Sequence, residues 1–224
     1  MLRVKQVAGV LLNVAIFAVL LLVPAGTTWW PRAWLLLGVI AIAGALSILA
    51  IPEDLLDERY KLPIQKGQPL ADKIIVVALL VSFLGTVVFA PLDVFRFHLM
   101  RRPGIVVSWA GLVMFAAGWW LMTAAMVENA FAALVVRHQT GRHQRVVDSG
   151  PYRIVRHPMY TAMIPLTIGM ALWLGSYAAA IVALAPIAVV VLRVLLEETF
   201  LRRELAGYEQ YTTRTRFRLI PFVW

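Results

Sequence analysis

Five long stretches without a charged side chain constrain this sequence more than any other feature. They cover residues 7–24, 34–51, 74–91, 104–127 and 160–192. A helix of about 20 apolar residues crosses the roughly 30 Å hydrocarbon layer of a bilayer. Helices are expected because a spanning segment must satisfy its backbone hydrogen bonds internally. With 61% hydrophobic residues overall, the sequence predicts an all-α integral membrane protein.

The last of these stretches, residues 160–192, is too long for one ordinary crossing. Gly175 and Ser176 lie near its middle, so we expect a tight helical hairpin of two short crossings. About six transmembrane helices result, followed by a C-terminal helix over residues 193–214. The first stretch starts close to Met1 and lacks a small-residue cleavage site, so we interpret it as a helix of the mature protein and not as a signal peptide.

The distribution of cations predicts the orientation. Six crossings put both termini on one side, and all of the 21 lysines and arginines lie on that side except Arg32, Arg96, Arg101 and Arg102. Because cytoplasmic loops are enriched in Lys and Arg, we expect a multi-pass protein of the inner or plasma membrane with cytoplasmic termini. The same rule and anionic lipids account for the net charge of +9, so no nucleic-acid partner is expected.

The polar residues divide the sequence into two parts of a single domain. No repeat or low-complexity linker interrupts residues 1–224, so we predict one membrane domain, with N-terminal transmembrane helices over 1–127 and a catalytic region over 128–224. The charged segment 53–59 is expected to form one or two amphipathic turns on the membrane surface. The absence of cysteine excludes disulfides and thiolate catalysis. His138 and His143 lack a metal-ligand spacing, and no metal site is predicted.

Two polar clusters lie where apolar stretches meet water. Arg156, His157 and Pro158 precede the hairpin, and Glu197 and Glu198 follow it. Ionisable groups at a membrane boundary are costly and are by default candidates for a functional site. The alternative is structural: proline favours the first turn of a helix.

The two glutamates also have a structural alternative. Pairs at positions i and i+4 join Arg193 to Glu197 and Glu198 to Arg202 on a helical surface. Adjacent helical residues point about 100° apart, so at least one of the two acids should face the helix bundle.

Tyr208, Tyr211 and Arg214 are spaced by three residues and are expected to form a stripe. Such a stripe is typical of an interfacial aromatic belt. A forked guanidinium beside aromatic rings also suits a carboxylate ligand.

Several motifs occur in an order that resembles the isoprenylcysteine carboxyl methyltransferase family. They are Gly150-Pro151-Tyr152, Arg156-His157-Pro158 with Tyr160, Glu197-Glu198 with Leu201, Gly207-Tyr208 with Tyr211 and Arg214, and the terminal Arg218-Leu219-Ile220-Pro221. The resemblance is specific over about residues 128–224. It implies an integral membrane methyltransferase with S-adenosylmethionine (SAM) as cofactor, bound by a cytoplasmic loop and the ends of the last helices.

The resemblance also implies roles for individual residues. Arg214 is expected to hold the substrate carboxylate, and Glu198 is expected to belong to both the catalytic and the cofactor-binding residues. The residues that match the family's cofactor site are Gln139, Val146, Val147, Tyr152, His157, Pro158, Met159, Tyr160, Glu197 and Glu198. Ala162 replaces a family glycine; its methyl group is expected to be tolerated at a close helix contact but to narrow the cofactor pocket.

The favoured acceptor is the carboxylate of an isoprenylcysteine-like or other lipid-tailed acid that enters from the bilayer. A carboxylate is already ionised at neutral pH, so positioning and exclusion of water are sufficient and no general base is needed. Two alternatives share the scaffold. A phospholipid N-methyltransferase would use Glu198 or His157 as base, and an NADPH-dependent sterol or enone reductase would bind phosphate on the basic segment 137–145. Gly111 and Gly118 are expected at a close helix contact.

Overall fold

The protein is described by a computed structural model over residues 2–51, 68–129 and 145–224. The helices are α1 (Leu2–Ala25), α2 (Pro31–Ala50), α3 (Leu70–Leu92), α4 (Ile105–Glu128), α5 (Pro158–Leu174), α6 (Tyr177–Val182), α7 (Leu184–Glu204) and α8 (Tyr208–Arg214). A π-helical turn, Asp93–Phe97, extends α3, and a 3₁₀ turn, Gly150–Arg153, precedes α5. These residues contain no named strand, which confirms the predicted all-α fold. The segment 53–59, His138, Gln139 and His143 lie outside the described residues.

Five helical segments are long and apolar enough to cross a membrane. They are Val4–Ala25, Pro31–Ala50, Leu70–Phe97, Ile105–Glu128 and Tyr177–Glu204. The last of them comprises α6 and α7, and α5 is a shorter apolar helix of 17 residues. Large apolar side chains such as Leu11 and Leu12 are exposed on the outside of the bundle, where lipid satisfies them. The predicted multi-pass membrane architecture is therefore confirmed.

The predicted hairpin turn lies at Gly175 and Ser176. Gly175 ends α5 in the left-handed conformation with φ +97°, which glycine adopts without the steric cost of a Cβ. The Ser176 hydroxyl then accepts a hydrogen bond from the Ala179 amide at 2.8 Å and caps α6. A glycine stop followed directly by a serine start makes this turn two residues long.

Polar contacts tie α3 to both α5 and α7. Ser176 after α5 donates to Asp93 after α3 at 2.6 Å. Asp72 at the start of α3 pairs with Arg193 in the middle of α7 at 3.3 Å. Helices α3 and α5 therefore finish at the same end of the bundle, and α7, which follows α5, runs from that end towards the start of α3.

Helices α4 and α5 pack with their backbones in close approach. A Cβ atom added at Gly169 would lie 2.5 Å from the Gly111 carbonyl oxygen, and one added at Gly118 would lie 2.9 Å from that of Ala162. This confirms the predicted contact at Gly111 and Gly118. Ala162 is fully buried, so its methyl group is accommodated beside this contact. The packing holds α5, and the residues at its start, rigidly against α4.

The C-terminal helix predicted over residues 193–214 is interrupted. Helix α7 ends at Glu204, and α8 begins at Tyr208 after Gly207, whose φ is +83°. A left-handed residue cannot continue a right-handed helix, so the chain turns at Gly207. The single-helix prediction was wrong because the helical residues on both sides obscured this stop. The turn brings α8 back towards the start of α5.

The close contact between α4 and α5 generates a stability prediction. Gly169→Ala should force the two backbones apart and lower the free energy of unfolding by about 1–3 kcal/mol, as overpacked cores do. Gly38→Ala is the matched control, because nothing lies within 4 Å of its added Cβ. Thermal unfolding in detergent should show a lower midpoint for the first variant only. Equal midpoints would contradict the contact.

Candidate functional site

The segment that leads into α5 is held by the C-terminal tail. Pro158 occupies the first turn of α5, where its missing N–H is not needed. The amides of Arg156 and His157 donate to the carbonyl oxygens of Phe217 and Arg218 at 2.9 and 3.0 Å. These backbone hydrogen bonds fix the directions in which the Arg156 and His157 side chains leave the chain.

The tail is itself anchored to the bundle through Leu219. This side chain is 1% exposed and packs with Val190 and Val194 of α7. The Leu219 carbonyl oxygen also accepts a hydrogen bond from the Thr161 hydroxyl in α5 at 2.7 Å. The tail therefore joins the start of α5 to the end of α7, where the predicted acidic pair lies.

At this junction Glu198 is the centre of a buried ionic cluster. Its Oε1 accepts hydrogen bonds from Arg156 Nε at 2.6 Å and lies 3.3 Å from His157 Nε2, and its Oε2 accepts from Arg218 Nε at 2.9 Å. Glu198 is only 3% exposed. We call Arg156, His157, Glu198 and Arg218 the Glu198 cluster. Two guanidinium groups against one carboxylate give it an excess of positive charge.

The prediction that one acid of the pair faces the bundle is confirmed for Glu198. Its predicted local pair with Arg202 is wrong, since Glu198 is engaged by the cluster and Arg202 instead pairs with Glu209 of α8 at 2.8 Å. The reason is burial. A buried carboxylate gains more from guanidiniums held in a dry environment than from an exposed side chain one turn away.

Glu197 and Tyr160 belong to a second polar network beside the first. The Tyr160 hydroxyl donates to Glu197 Oε2 at 2.6 Å and accepts from Arg193 Nε at 2.6 Å. Arg193 Nη1 also pairs with Asp72 Oδ1 at 3.3 Å. We call Asp72, Tyr160, Arg193 and Glu197 the Tyr160 network. Counted over the described residues, two carboxylates against one guanidinium give it an excess of negative charge.

The Glu198 cluster and the Tyr160 network adjoin at the start of α5. The rings of His157 and Tyr160 are stacked with centroids 5.8 Å apart, and Glu197 and Glu198 are consecutive in α7. A region of excess positive charge therefore lies beside one of excess negative charge, at the membrane boundary and next to aromatic rings. Such an arrangement is chemically suited to a ligand that carries both an anionic and a cationic group.

Two other predicted cofactor residues contact α8 or the turn before it. Tyr152 is buried, and its carbonyl oxygen accepts a hydrogen bond from the Tyr211 hydroxyl at 2.7 Å. A Cβ atom added at Gly207 would lie 3.9 Å from a methyl group of Val146. Val147 and Met159 are half-buried. The structure thus brings Tyr152 to α8 and Val146 to the turn before it.

Arg214 lies apart from the Glu198 cluster. Its side chain is 66% exposed and pairs with Asp148 at 3.0 Å. It lines an open cleft of ≈ 230 Å³, whose walls also include Arg153, Thr215, Arg216, Phe217 and Phe222. The predicted stripe is therefore divided, because Tyr208 and Tyr211 are buried and Arg214 is not. Burial raises the pKa of both tyrosine hydroxyls well above the usual value.

Sequence reasoning missed three side chains of the site. Arg156 belongs to a predicted polar cluster but receives no role of its own there, Arg218 occurs only in the terminal motif, and Asp72 lies outside every predicted cluster and motif. A signal for Asp72 was present, because a single acid opening an otherwise apolar helix needs a partner once it is buried. Nothing local could have paired Arg218 with Glu198, since only the fold of the tail brings them together.

The Glu198 cluster generates a second stability prediction. Glu198→Gln leaves Arg156 buried without a countercharge, so the free energy of unfolding should fall by about 3–5 kcal/mol. Glu209→Gln is the control, because its ion pair with Arg202 is exposed and worth less than about 1 kcal/mol. Thermal unfolding in detergent should separate the two variants clearly. Equal, small effects would mean that Glu198 is not the counterion that the structure shows.

Comparison with known proteins agrees with these observations. Residues 106–207 match the model of the phospholipid methyltransferase family. The chain is also similar to a solved structure of the eukaryotic intramembrane Ras methyltransferase ICMT (isoprenylcysteine carboxyl methyltransferase). The TM-score is 0.56 at 19% identity, over 93% of this chain and 75% of that one. No curated protein sequence matches the chain. The resemblance predicted from the motifs is confirmed: the chain has an ICMT-like membrane fold, and its residues 106–207 are similar to the phospholipid methyltransferase family.

Proposed function

We propose that the protein is a SAM-dependent methyltransferase that methylates the carboxylate of a lipid-tailed acid. The methyltransferase family match and the ICMT-like fold support a membrane methyltransferase for lipophilic substrates. The observation that carries the proposal is the pairing of the Glu198 cluster with the Tyr160 network. SAM combines a carboxylate with an ammonium and a sulfonium. Its carboxylate suits the Glu198 cluster, and its cationic groups suit the Tyr160 network.

The donor and acceptor groups of the site fit this cofactor. The excess positive charge beside Arg156 and Arg218 suits the methionyl carboxylate, and the excess negative charge beside Glu197 suits the ammonium. The stacked rings of His157 and Tyr160 provide an aromatic surface for a cationic centre. When bound, SAM supplies an electrophilic methyl group. The protein's part is to hold the reactants in line and to exclude water.

The state of Glu198 favours a carboxylate acceptor over an amine. An amine is protonated at neutral pH and must lose its proton to a base before methylation. Glu198 already has three hydrogen-bonding partners, and His157 Nε2 is directed at Glu198. A carboxylate that already accepts hydrogen bonds from two guanidiniums is a poor base, so Glu198 is unsuited to take the proton of an amine. A carboxylate needs no such step, although the phospholipid N-methyltransferase alternative shares the family pattern.

A lipid-tailed acceptor would approach the site from the bilayer, along the helix faces beside the Tyr160 network. Exposed apolar side chains flank its members in sequence, with Ile74 close to Asp72 in α3 and Leu192 beside Arg193 in α7. In this arrangement the apolar side chains on α3 and α7 contact the lipid tail of the acceptor, and its head group lies at the membrane boundary. We propose that SAM enters from the opposite, cytoplasmic side, in agreement with the predicted cytoplasmic termini.

Arg214 is our proposed clamp for the acceptor carboxylate. It neighbours Thr215, whose carbonyl oxygen accepts from Arg156 at 2.9 Å, so α8 links the cleft to the Glu198 cluster. Arg214 would exchange Asp148 for the substrate. The exchange is inexpensive, because an exposed ion pair contributes only about 0–1 kcal/mol.

The class of product tests the proposal. The protein should be incubated with methyl-labelled SAM and vesicles that contain either a prenylated cysteine acid or phosphatidylethanolamine. We expect label in the acid, recovered as volatile methanol after mild alkali because a methyl ester hydrolyses. Alkali-stable label in phosphatidylethanolamine would instead establish N-methylation and refute the carboxylate assignment.

A substitution tests the clamp separately. Arg214→Ala should abolish turnover, because the acceptor carboxylate loses its bidentate partner, while binding of S-adenosylhomocysteine remains within about twofold of wild type. Arg203→Ala in α7 removes another exposed arginine and should retain activity. If Arg214→Ala retains wild-type turnover of the acid, Arg214 does not hold the substrate.

A further inference from the structure

A buried hydroxyl without a partner lies next to the site. Tyr208 is 4% exposed, and its hydroxyl has no hydrogen-bond partner within the described part of the chain. Leaving a buried hydroxyl unpaired costs free energy, so such a group calls for an explanation. Its neighbour Tyr211, equally buried, donates to the Tyr152 carbonyl oxygen at 2.7 Å. The contrast indicates that the Tyr208 hydroxyl is available to form a hydrogen bond with a ligand.

The surroundings of Tyr208 define its role as a donor. Its ring packs on that of Tyr211 with centroids 5.8 Å apart. Burial, and then the negative charge of Glu198, raises the pKa of the Tyr208 hydroxyl, and Arg156 acts in the opposite direction. The phenol therefore stays protonated at neutral pH. This neutral phenol has no hydrogen-bond partner within the described residues. The hydrogen bond that it donates would be strongest to an anion.

The Glu198 cluster indicates which anion this is. Its own carboxylate is engaged by Arg156, His157 and Arg218, and two guanidiniums exceed its single negative charge. An additional carboxylate would balance the excess charge and accept the phenolic hydrogen bond. We propose that the Tyr208 hydroxyl donates a hydrogen bond to the methionyl carboxylate of SAM and so fixes the amino-acid end of the cofactor. This inference rests on the proposed function.

The test uses ligand binding in the ligand-free protein and does not depend on activity. S-adenosylhomocysteine and its decarboxylated analogue, which keeps the amine, are titrated by calorimetry into wild type and Tyr208→Phe in detergent. Phe preserves the ring and its packing and removes only the hydroxyl. We expect Tyr208→Phe to weaken S-adenosylhomocysteine about tenfold or more, as for a hydrogen bond to a charged group, and to leave the affinity of the analogue unchanged.

Two further variants separate a role in binding from a role in folding. Tyr177→Phe at the opposite end of the bundle should bind S-adenosylhomocysteine like wild type. Tyr211→Phe should lower the thermal midpoint, because it leaves the buried Tyr152 carbonyl oxygen without this donor. Tyr208→Phe should not lower the midpoint, because no hydrogen bond within the described protein is lost. A lower midpoint for Tyr208→Phe would show that its hydroxyl serves the fold, and would overturn the inference.

The outcomes also distinguish this inference from the proposed function. If wild type binds S-adenosylhomocysteine and Tyr208→Phe binds it equally well, the inference is wrong and the methyltransferase assignment stands. An equal loss of affinity for both ligands would overturn the assignment to the carboxylate. Failure of wild type to bind S-adenosylhomocysteine at all would contradict the proposed function, and the inference with it.

Discussion

The buried carboxylate of Glu198 is the group on which the proposed ligand site and the local fold both depend. Arg156 and Arg218 approach it from the start of α5 and from the C-terminal tail, and His157 completes its contacts. Burying the charges of Arg156 and Glu198 is costly unless they are paired, and the partly exposed Arg218 adds a second cation to the pair. These three segments must therefore assemble together, and the site forms only when the tail has folded back. Stability and the proposed ligand recognition consequently involve the same atoms.

The separation of charge within the site gives the fold its proposed chemistry. The Glu198 cluster carries an excess of cations and the Tyr160 network an excess of anions, with the stacked rings of His157 and Tyr160 between them. These two charged regions orient a ligand that carries both an anionic and a cationic group. In the reversed orientation, each group of the ligand would face a region of its own charge and be repelled. Rigid packing of α5 on α4 through Gly111, Gly118 and Gly169 keeps the two groups in register. Preorganisation of this kind is what methyl transfer by positioning requires.

Much of the architecture was predictable because membrane helices leave strong local signals. The uncharged stretches, the Gly175 turn and the inward-facing acid all follow from composition and helical period. The partners of Glu198 were not predictable, since Arg156 is 42 residues away along the chain and a nearer arginine, Arg202, offered a plausible pair. The break at Gly207 and the exposure of Arg214 depend on how α8 turns back. Local patterns identify which residues are unusual, and the tail determines which of them meet.

A structure of the protein bound to S-adenosylhomocysteine would test the central claim most directly. The account predicts that the amino-acid end of the ligand lies between the Glu198 cluster and the Tyr160 network, with its carboxylate on the side of Arg156 and Tyr208. It also predicts that Glu198 keeps its contacts with Arg156 and Arg218. A ligand in the open cleft beside Arg153 and Arg216, or at the end of the bundle that contains Asp93, would contradict the account.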